Sequence, residues 1–208
     1  AGRLDPDVAL LYGVALGVLG LGYLALFVNL LTALLGAAAL GGYVFVYTPL
    51  KPITSLATIV GAIPGAIPPM MGWSAVRDTV DLPAWVLFGI LFFWQMPHFL
   101  AIAWLCRDDY AAGGFPMLSV IDPTGVQVGR QSVLYGAALV PVSLLPSVLG
   151  LLGGIYFWGA LALGVAYLVA SFKFSRERTR DTARRLMFAS ILYLPALLLA
   201  MLVDRVAL

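Results

Sequence analysis

The chain has 208 residues, of which 62% are hydrophobic and only 11% are charged, and its formal net charge is +2. A soluble domain usually has about 25% charged residues, and a chain of this length has too little polar surface to cover so apolar an interior. The composition excludes a soluble enzyme and a nucleic-acid binder, and it predicts a protein whose main partner is the lipid bilayer.

Apolar blocks as long as a bilayer span recur along the chain. A helix needs roughly 20 apolar residues to cross about 30 Å of hydrocarbon. Seven blocks meet this condition, at residues 8–27, 30–47, 53–71, 83–105, 131–149, 153–172 and 186–203. The sequence therefore predicts an all-α, polytopic transmembrane helical bundle that forms one domain over residues 1–208.

The basic residues are divided unequally between the two sides that seven spans would create. All of the twelve lysines and arginines except Arg77 and Arg205 fall on one side, from Arg3 and Lys51 to the run at 173–185. Because cytoplasmic loops carry an excess of lysine and arginine, this side is predicted to be cytoplasmic. The N-terminus of the chain is then cytoplasmic and its C-terminus lies on the outer side of the plasma (inner) membrane.

The third block, at 53–71, is interrupted by Gly61, Pro64, Gly65, Pro68 and Pro69. Proline kinks a helix, and in lipid the freed carbonyls need partners within the protein. The glycine pair has the spacing of close helix contacts. We expect a kinked helix that faces protein, and direct contact of this helix with a ligand remains an alternative.

The connections on the predicted cytoplasmic side are the long ones. The segment 107–130 contains Gly113, Gly114, Pro116, Pro123 and Gly125, so it cannot be one continuous helix. We expect a folded cap over the cytoplasmic mouth of the bundle, since a long structured loop is usually functional. The segment 173–185 is predicted to be a basic loop.

Two polar groups near span ends suggest a diphosphate site. Adjacent carboxylates at Asp108 and Asp109 can hold Mg²⁺, with water and phosphate as the other ligands, or they belong to a solvated loop. Lys51, in the segment that starts at Tyr47, can bind phosphate as a compact charge, or it extends toward water at the membrane edge. Both groups are predicted on the cytoplasmic side.

His98 is the only histidine of the chain and lies in the middle of a predicted span. It precedes Asp109 by eleven residues, which is about 16 Å of helix. At 100° per residue, two side chains eleven residues apart point in directions that differ by only about 20°. Gln95, His98, Ile102, Leu105 and Asp109 therefore share one stripe. His98 is either a hydrogen-bonded core residue or a ligand, and a long amphiphile with an anionic head would fit along the stripe.

Three ordered motifs resemble those of a known family. Residues 47–73 read YTPLKPITSLATIVGAIPGAIPPMMGW, residues 92–104 read FFWQMPHFLAIAW and residues 107–120 read RDDYAAGGFPMLSV. They are similar to the YTxLKRxT…GxxxGAxPPxxGW, WQxPHF and DDYxxAGxPMLxV segments of the protoheme IX farnesyltransferases, or heme O synthases, within the UbiA-type intramembrane prenyltransferases.

The resemblance implies nine spans around a central cavity and a Mg²⁺-dependent transfer of farnesyl from farnesyl diphosphate to a vinyl group of protoheme IX. Asp108 and Asp109 match the second of two aspartate-rich metal-binding segments. Tyr47, Lys51 and Arg107 match the surroundings of the diphosphate. Among these residues, the resemblance makes Tyr47, Lys51 and Asp109 the catalytic ones.

On the acceptor side, the resemblance assigns Trp94, Gln95 and His98 to heme binding. It also allows a homo-oligomer or a complex with heme A synthase. Position 52 departs from the pattern, because proline stands where the family usually has arginine. The first aspartate-rich motif is absent, so the resemblance suggests a chain without the first two spans, and we expect little transferase activity from the chain alone.

Rival functions remain. A related prenyltransferase would act on a quinone precursor or a chlorophyllide, and the run at 94–99 argues against it. A transporter would show an inverted repeat with broken helices in both halves, whereas Pro-rich breaks occur in only one half and no internal repeat is visible. A catalytically inactive membrane protein that only binds heme or a partner is the third alternative.

Overall fold

A computed structural model describes residues 5–204. Its helices are α1 (Pro6–Phe27), α2 (Leu30–Leu50), α3 (Ala57–Arg77), α4 (Leu82–Leu105), α5 (Arg107–Ala112), α6 (Leu118–Ile121), α7 (Val126–Val148), α8 (Gly154–Glu177) and α9 (Arg180–Val203). All but the short α5 and α6 are long and apolar enough to span a membrane, which makes seven spans. Since residues 5–204 contain no strand, the predicted all-α bundle of seven spans is confirmed.

Several predicted boundaries shift because helices continue beyond the last apolar residue. The third span runs over α3 to Arg77, and α7 and α9 begin before the expected residues 131 and 186. The basic loop predicted at 173–185 is wrong, since only Arg178 and Thr179 separate α8 from α9. Arg178 has a left-handed backbone with φ 51°, and Thr179 forms a capping box with Thr182 that starts α9. Arg3 and Arg205 lie outside the described residues.

Helix α4 is the centre of the bundle. It packs against α3, α7 and α9, and α8 closes the other side by packing against α7 and α9. The buried side chains from these helices form one core, and its larger members are Val86, Ile90, Leu100, Trp104, Leu139, Tyr156, Tyr167, Phe174, Leu186, Tyr193 and Leu197. The face of α4 between α3 and α9 is left open, because these two helices scarcely contact each other.

Small residues allow α7 and α8 to approach closely. A Cβ atom on Gly129 would lie 2.7 Å from the Cα atom of Ser175, and one on Gly164 would lie 3.3 Å from the side chain of Val140. Hydrophobic burial drives helices together only weakly in lipid, so close van der Waals packing of this kind has to hold the pair.

Helices α1 and α2 form an arm at the edge of the bundle. No residue of α1 is buried, and among the described helices α2 is the one against which α1 packs extensively. The arm is attached through Asn29, whose Oδ1 accepts from the Thr32 amide at 2.8 Å and whose Nδ2 donates to the Ser74 carbonyl at 2.8 Å. The hydroxyls of Thr32 and Ser74 are 2.7 Å apart. These bonds join α2 to α3.

The connections predicted to be cytoplasmic meet at one end of the molecule. Arg180, at the start of α9, donates to the carbonyl of Leu105 at 2.9 Å and lies 3.9 Å from a carboxylate oxygen of Asp108. At the opposite end, the carboxylate of Asp204 accepts from the Tyr156 amide at 2.7 Å and so caps α8. The two ends of the bundle are thus fastened by charged side chains.

Candidate active site

A cavity of about 200 Å³ opens between α2, α3, α4 and the segment that follows α4. Tyr47 and Tyr110, which line it, are the neighbours of Lys51. The lining side chains that matter for function are Tyr43, Tyr47, Gln95, Phe99, Tyr110 and Met117. The lining thus combines phenol and amide groups with apolar side chains.

A π-helical stretch in α2, Gly42–Tyr47, carries two tyrosines into this cavity. Short π-helical segments are rare and often mark functional sites. The rings of Tyr43 and Tyr47 are 4.9 Å apart between their centres. The Nζ atom of Lys51 lies 5.1 Å from the centre of the Tyr47 ring, within the range of a cation–π interaction. The structure thus brings the predicted pair Tyr47 and Lys51 together.

The two glycines of α3 make room for the cavity wall. A Cβ atom on Gly61 would lie 2.5 Å from Cδ2 of Tyr47, and one on Gly65 would lie 2.6 Å from Oε1 of Gln95. The amide Nε2 of Gln95 donates to the Ala62 carbonyl at 2.7 Å. The close approach predicted for this glycine pair exists, but it is to side chains from α2 and α4. Both glycines line the cavity.

Tyr110 was not among the predicted site residues, although it follows Asp108 and Asp109 directly. It lines the cavity beside Tyr47. Burial raises the pKa of Tyr110 above its usual value, as do the neighbouring Cys106 and Tyr47, whereas Lys51 acts in the opposite direction. The phenol therefore stays protonated at neutral pH and can donate a hydrogen bond. Tyr43, four residues before Tyr47, also lines the cavity and was likewise not among the predicted site residues.

The adjacent carboxylates are exposed on α5, beside the mouth and outside the cavity lining. The side chain of Asp108 is 74% exposed, with Nε of Arg107 at 3.6 Å and Nη1 of Arg180 at 3.9 Å from its oxygens. Within residues 5–204, Asp109 has no ion pair. The guanidinium of Arg107 lies 4.8 Å from the centre of a Trp104 ring. Asp109 is thus free to bind a ligand, whereas Asp108 would do so beside the two arginines that it already contacts.

His98 and Trp94 turn toward α9 and do not line the cavity. Their rings stack with centres 5.3 Å apart at 13°. The indole Nε1 of Trp94 donates to the Ser190 carbonyl at 2.8 Å, and Nδ1 of His98 lies 2.6 Å from the Ser190 hydroxyl oxygen. The predicted stripe is therefore divided, because Gln95 and Ile102 face the cavity while His98 faces its neighbour α9.

Comparison with known proteins identifies the family. The sequence matches the UbiA prenyltransferase family over residues 1–193. The chain belongs to this family. A protoheme IX farnesyltransferase of Solibacter usitatus is 48% identical over 205 residues, which cover 99% of this chain and 70% of the relative. One of Myxococcus xanthus is 45% identical with the same coverages, and the mitochondrial one of Arabidopsis thaliana is 38% identical over 48% of its length.

The fold of a UbiA prenyltransferase is also seen in a solved structure. A structure described as digeranylgeranylglyceryl phosphate synthase superposes with a TM-score of 0.81 at 17% identity, over 98% of this chain and 71% of the other. This likeness shows the fold alone. The family match and the seven spans together make the chain a multi-pass membrane prenyltransferase.

The donor set at the mouth of this prenyltransferase suits a hard divalent cation. Mg²⁺ usually takes one or two carboxylates and completes its octahedron with water and substrate phosphate. Asp108 and Asp109 supply such a pair, and no group of three or more histidine, cysteine or acidic side chains that could hold a metal occurs in residues 5–204. The residues fit Mg²⁺ in the company of a diphosphate.

Proposed function

We propose that this chain transfers a farnesyl group from farnesyl diphosphate to the vinyl group of protoheme IX, which yields heme O. Relatives named protoheme IX farnesyltransferase, which are up to 48% identical over nearly the whole chain, support this pair of substrates. The observation that carries the proposal is the cavity itself, since Lys51, Tyr47 and Tyr110 meet at one end of it, beside Asp108 and Asp109.

The mouth of the cavity is the proposed binding site of the farnesyl donor, farnesyl diphosphate. Lys51 and the protonated phenol of Tyr110 stabilise the diphosphate as its negative charge grows, because donors fixed in a site of low dielectric cost no reorganisation. Arg107, beside Asp108 on α5, is proposed as a further cation for the same diphosphate. Mg²⁺ bound by Asp108 and Asp109 would neutralise the leaving group further. Tyr47 holds Lys51 in position through its ring.

The transfer breaks the bond between C1 of farnesyl and the diphosphate oxygen, and the vinyl group of the heme then bonds to C1. Water adds to the resulting cation and loses a proton, which leaves a hydroxyethylfarnesyl side chain. Apolar walls at Phe99, Ile102 and Met117 keep water from the first cation until the vinyl group captures it. Trp94, Gln95 and His98 border the acceptor, with Gln95 at the cavity wall.

The mouth of the cavity is proposed to face the cytoplasm, with the chain in the plasma membrane. This end of the bundle holds Lys51, Arg107 and the arginines between 176 and 185, in keeping with the preference of basic residues for the cytoplasmic side. A homo-oligomer and a complex with heme A synthase remain predictions.

The test of the proposal is farnesyl transfer to heme B in detergent, with Mg²⁺, measured as heme O by chromatography. Because little activity is expected of the chain alone, the assay uses this chain joined to the N-terminal part of the Solibacter usitatus relative. Asp109→Ala is expected to lower turnover by about a hundredfold or more, since it removes a charge that acts on the leaving group. Asp181→Ala is the matched control, because Asp181 is exposed at the same end of the bundle and pairs only with Arg185 at 2.9 Å. Equal activity in both variants would reject the metal site.

The metal and the acceptor are tested in the same assay. EDTA should abolish turnover and added Mg²⁺ should restore it. Activity with a quinone precursor or a chlorophyllide in place of heme would favour a rival acceptor. The low activity expected of the chain alone also stays a prediction, to be measured against a chimera that carries the N-terminal part of the Solibacter usitatus relative. No gain in turnover by the chimera would contradict it.

A further inference from the structure

A second cavity, of about 290 Å³, opens between α8 and α9 and shares no lining residue with the candidate active site. Its lining residues are Ala166, Val169, Ala170, Lys173 and Glu177 from α8, with Thr182 and Arg185 from α9. Val169 is exposed on the surface of the bundle, so the cavity is a groove that faces lipid. The groove ends where the start of α9 contacts Asp108, at the end of the bundle predicted to be cytoplasmic.

The lining of this groove changes from apolar to charged along the helix axis. The three apolar residues lie deepest in the span, and Lys173 follows them toward the end of α8. Arg185 lies at about the same level on α9, because each of the two residues is little more than one turn from the end of its helix. Glu177, the last residue of α8, is about 6 Å further out than Lys173. From lipid to water, the groove thus presents apolar side chains, then two cations, then a carboxylate.

The charged groups of the groove are available to a ligand. Among residues 5–204, neither Lys173 nor Glu177 has an ion-pair partner, although they are one turn apart on the same helix. Arg185 pairs with Asp181 at 2.9 Å through one terminal nitrogen, and the guanidinium has further N–H donors. Thr182 offers no donor, because its hydroxyl is used within the capping box of α9. Lys173, Arg185 and Glu177 are therefore the groups that a ligand would meet.

We propose that this groove binds the head group of phosphatidylethanolamine. Lys173 and Arg185 donate to the phosphate, and the terminal ammonium, the outermost group of this lipid, donates to the carboxylate of Glu177. Both contacts are charge-assisted hydrogen bonds, which are stronger than neutral ones. The acyl chains follow the apolar part of the groove into the bilayer. Basic pockets between membrane helices are known to bind lipid head groups on the cytoplasmic side.

The carboxylate of Glu177 decides between phospholipids that share the phosphate. An anionic lipid such as phosphatidylglycerol satisfies the two cations but leaves Glu177 without a partner. The quaternary ammonium of phosphatidylcholine has no N–H to donate, whereas a primary ammonium has three. Phosphatidylethanolamine therefore matches both the cations and the acid of the groove. The site does not depend on the substrates proposed for the transfer reaction.

Lipid binding is tested by native mass spectrometry of the unmodified chain in detergent, with each of the three phospholipids added at the same concentration. Phosphatidylethanolamine is expected to bind about tenfold more tightly than phosphatidylcholine, since one hydrogen bond to a charged group separates them. Tighter binding of phosphatidylglycerol would overturn the proposal in favour of an anionic lipid. Equal binding of the three lipids would overturn it in favour of a nonspecific lipid contact.

Two variants separate the phosphate contact from the ammonium contact. Lys173→Gln is expected to weaken the binding of all three lipids by about tenfold, because each of them carries the phosphate. Glu177→Gln should abolish the preference for phosphatidylethanolamine and leave the binding of phosphatidylcholine unchanged. Arg184→Gln is the matched control, since Arg184 is exposed near the same end of α9 but does not line the groove. Thermal unfolding in detergent checks that each variant is folded. A preference that persists in Glu177→Gln, or equal binding by Lys173→Gln and Arg184→Gln, would contradict the proposal.

Discussion

At the scale of single residues, the site depends on glycines, because neighbouring side chains leave no room for a Cβ atom at these positions. Gly61 is such a place, because the Tyr47 ring occupies the position of its missing Cβ. Tyr47 in turn lies against Lys51. A substitution at Gly61 therefore acts on the donor end of the cavity without removing any polar group.

We predict that Gly61→Ala displaces the Tyr47 ring. Overpacking of this kind costs about 1–3 kcal/mol, and the Michaelis constant for farnesyl diphosphate should rise with the loss of the Tyr47–Lys51 contact. Gly72→Ala is the control in the same helix, since no atom lies within 4 Å of its added Cβ. Thermal unfolding in detergent and initial rates measure the two effects, and equal behaviour of the two variants would contradict the packing argument.

At the scale of elements, the segment between α4 and α7 forms the predicted cap. Two short helices, α5 and α6, replace one continuous helix there, with Gly114 and Gly125 at φ 72° and 70°. Asp122 fastens the end of this segment to α7, since its carboxylate accepts from the amide of Gln127 at 2.6 Å and from the hydroxyl of Thr124 at 2.7 Å. The cap is therefore attached at both ends, which keeps Tyr110 at the mouth.

The charge of Asp122 is expected to stabilise the cap. Burial alone would raise the pKa of this carboxyl, but hydrogen bonds from Thr124 and from the amides of Gln127, Val128 and Gly125 lower it below the usual value. A lowered pKa means that the stabilisation is present above the ordinary carboxyl pKa of about 3.9 and is lost as the pH falls through the folded value.

Asp122→Asn keeps an acceptor oxygen and removes only the charge near the start of α7, so it should reduce stability by roughly 0.3–1 kcal/mol at neutral pH. The difference from the unmodified chain should shrink as the pH falls below about 4. Asp81→Asn is the control, because Asp81 also precedes a helix but its side chain accepts no capping bond. Hydrogen exchange of the α7 amides measures the effect. A pH-independent difference, or an equal loss in Asp81→Asn, would show that the charge of Asp122 is not involved.

At the scale of the whole molecule, the orientation in the membrane decides from which side the donor enters. Cys106 is the only cysteine, is partly exposed and lies at the same end as the cavity mouth. A maleimide that cannot cross the membrane should therefore label it in inverted vesicles and not in intact cells. Gly154→Cys in a Cys106→Ser background should show the reverse pattern, since Gly154 is exposed at the opposite end and its Cβ meets open space. If both cysteines were labelled from the same side of the membrane, the predicted alternation of the seven spans would be wrong.

The sequence by itself determined the seven spans, because hydropathy is a sum over neighbouring residues and needs no tertiary contact. It also located the motifs around Lys51, His98 and Asp109, since each is a short local pattern. The tertiary structure alone decided how they combine. Tyr110 lies near Lys51, and His98 bonds to Ser190, only because the fold brings together residues that are far apart in the chain. The π-helical turn that presents Tyr43 depends on a hydrogen-bond register that composition does not encode. For the same reason the sequence placed His98 on one stripe with Gln95, whereas packing against α9 separated them.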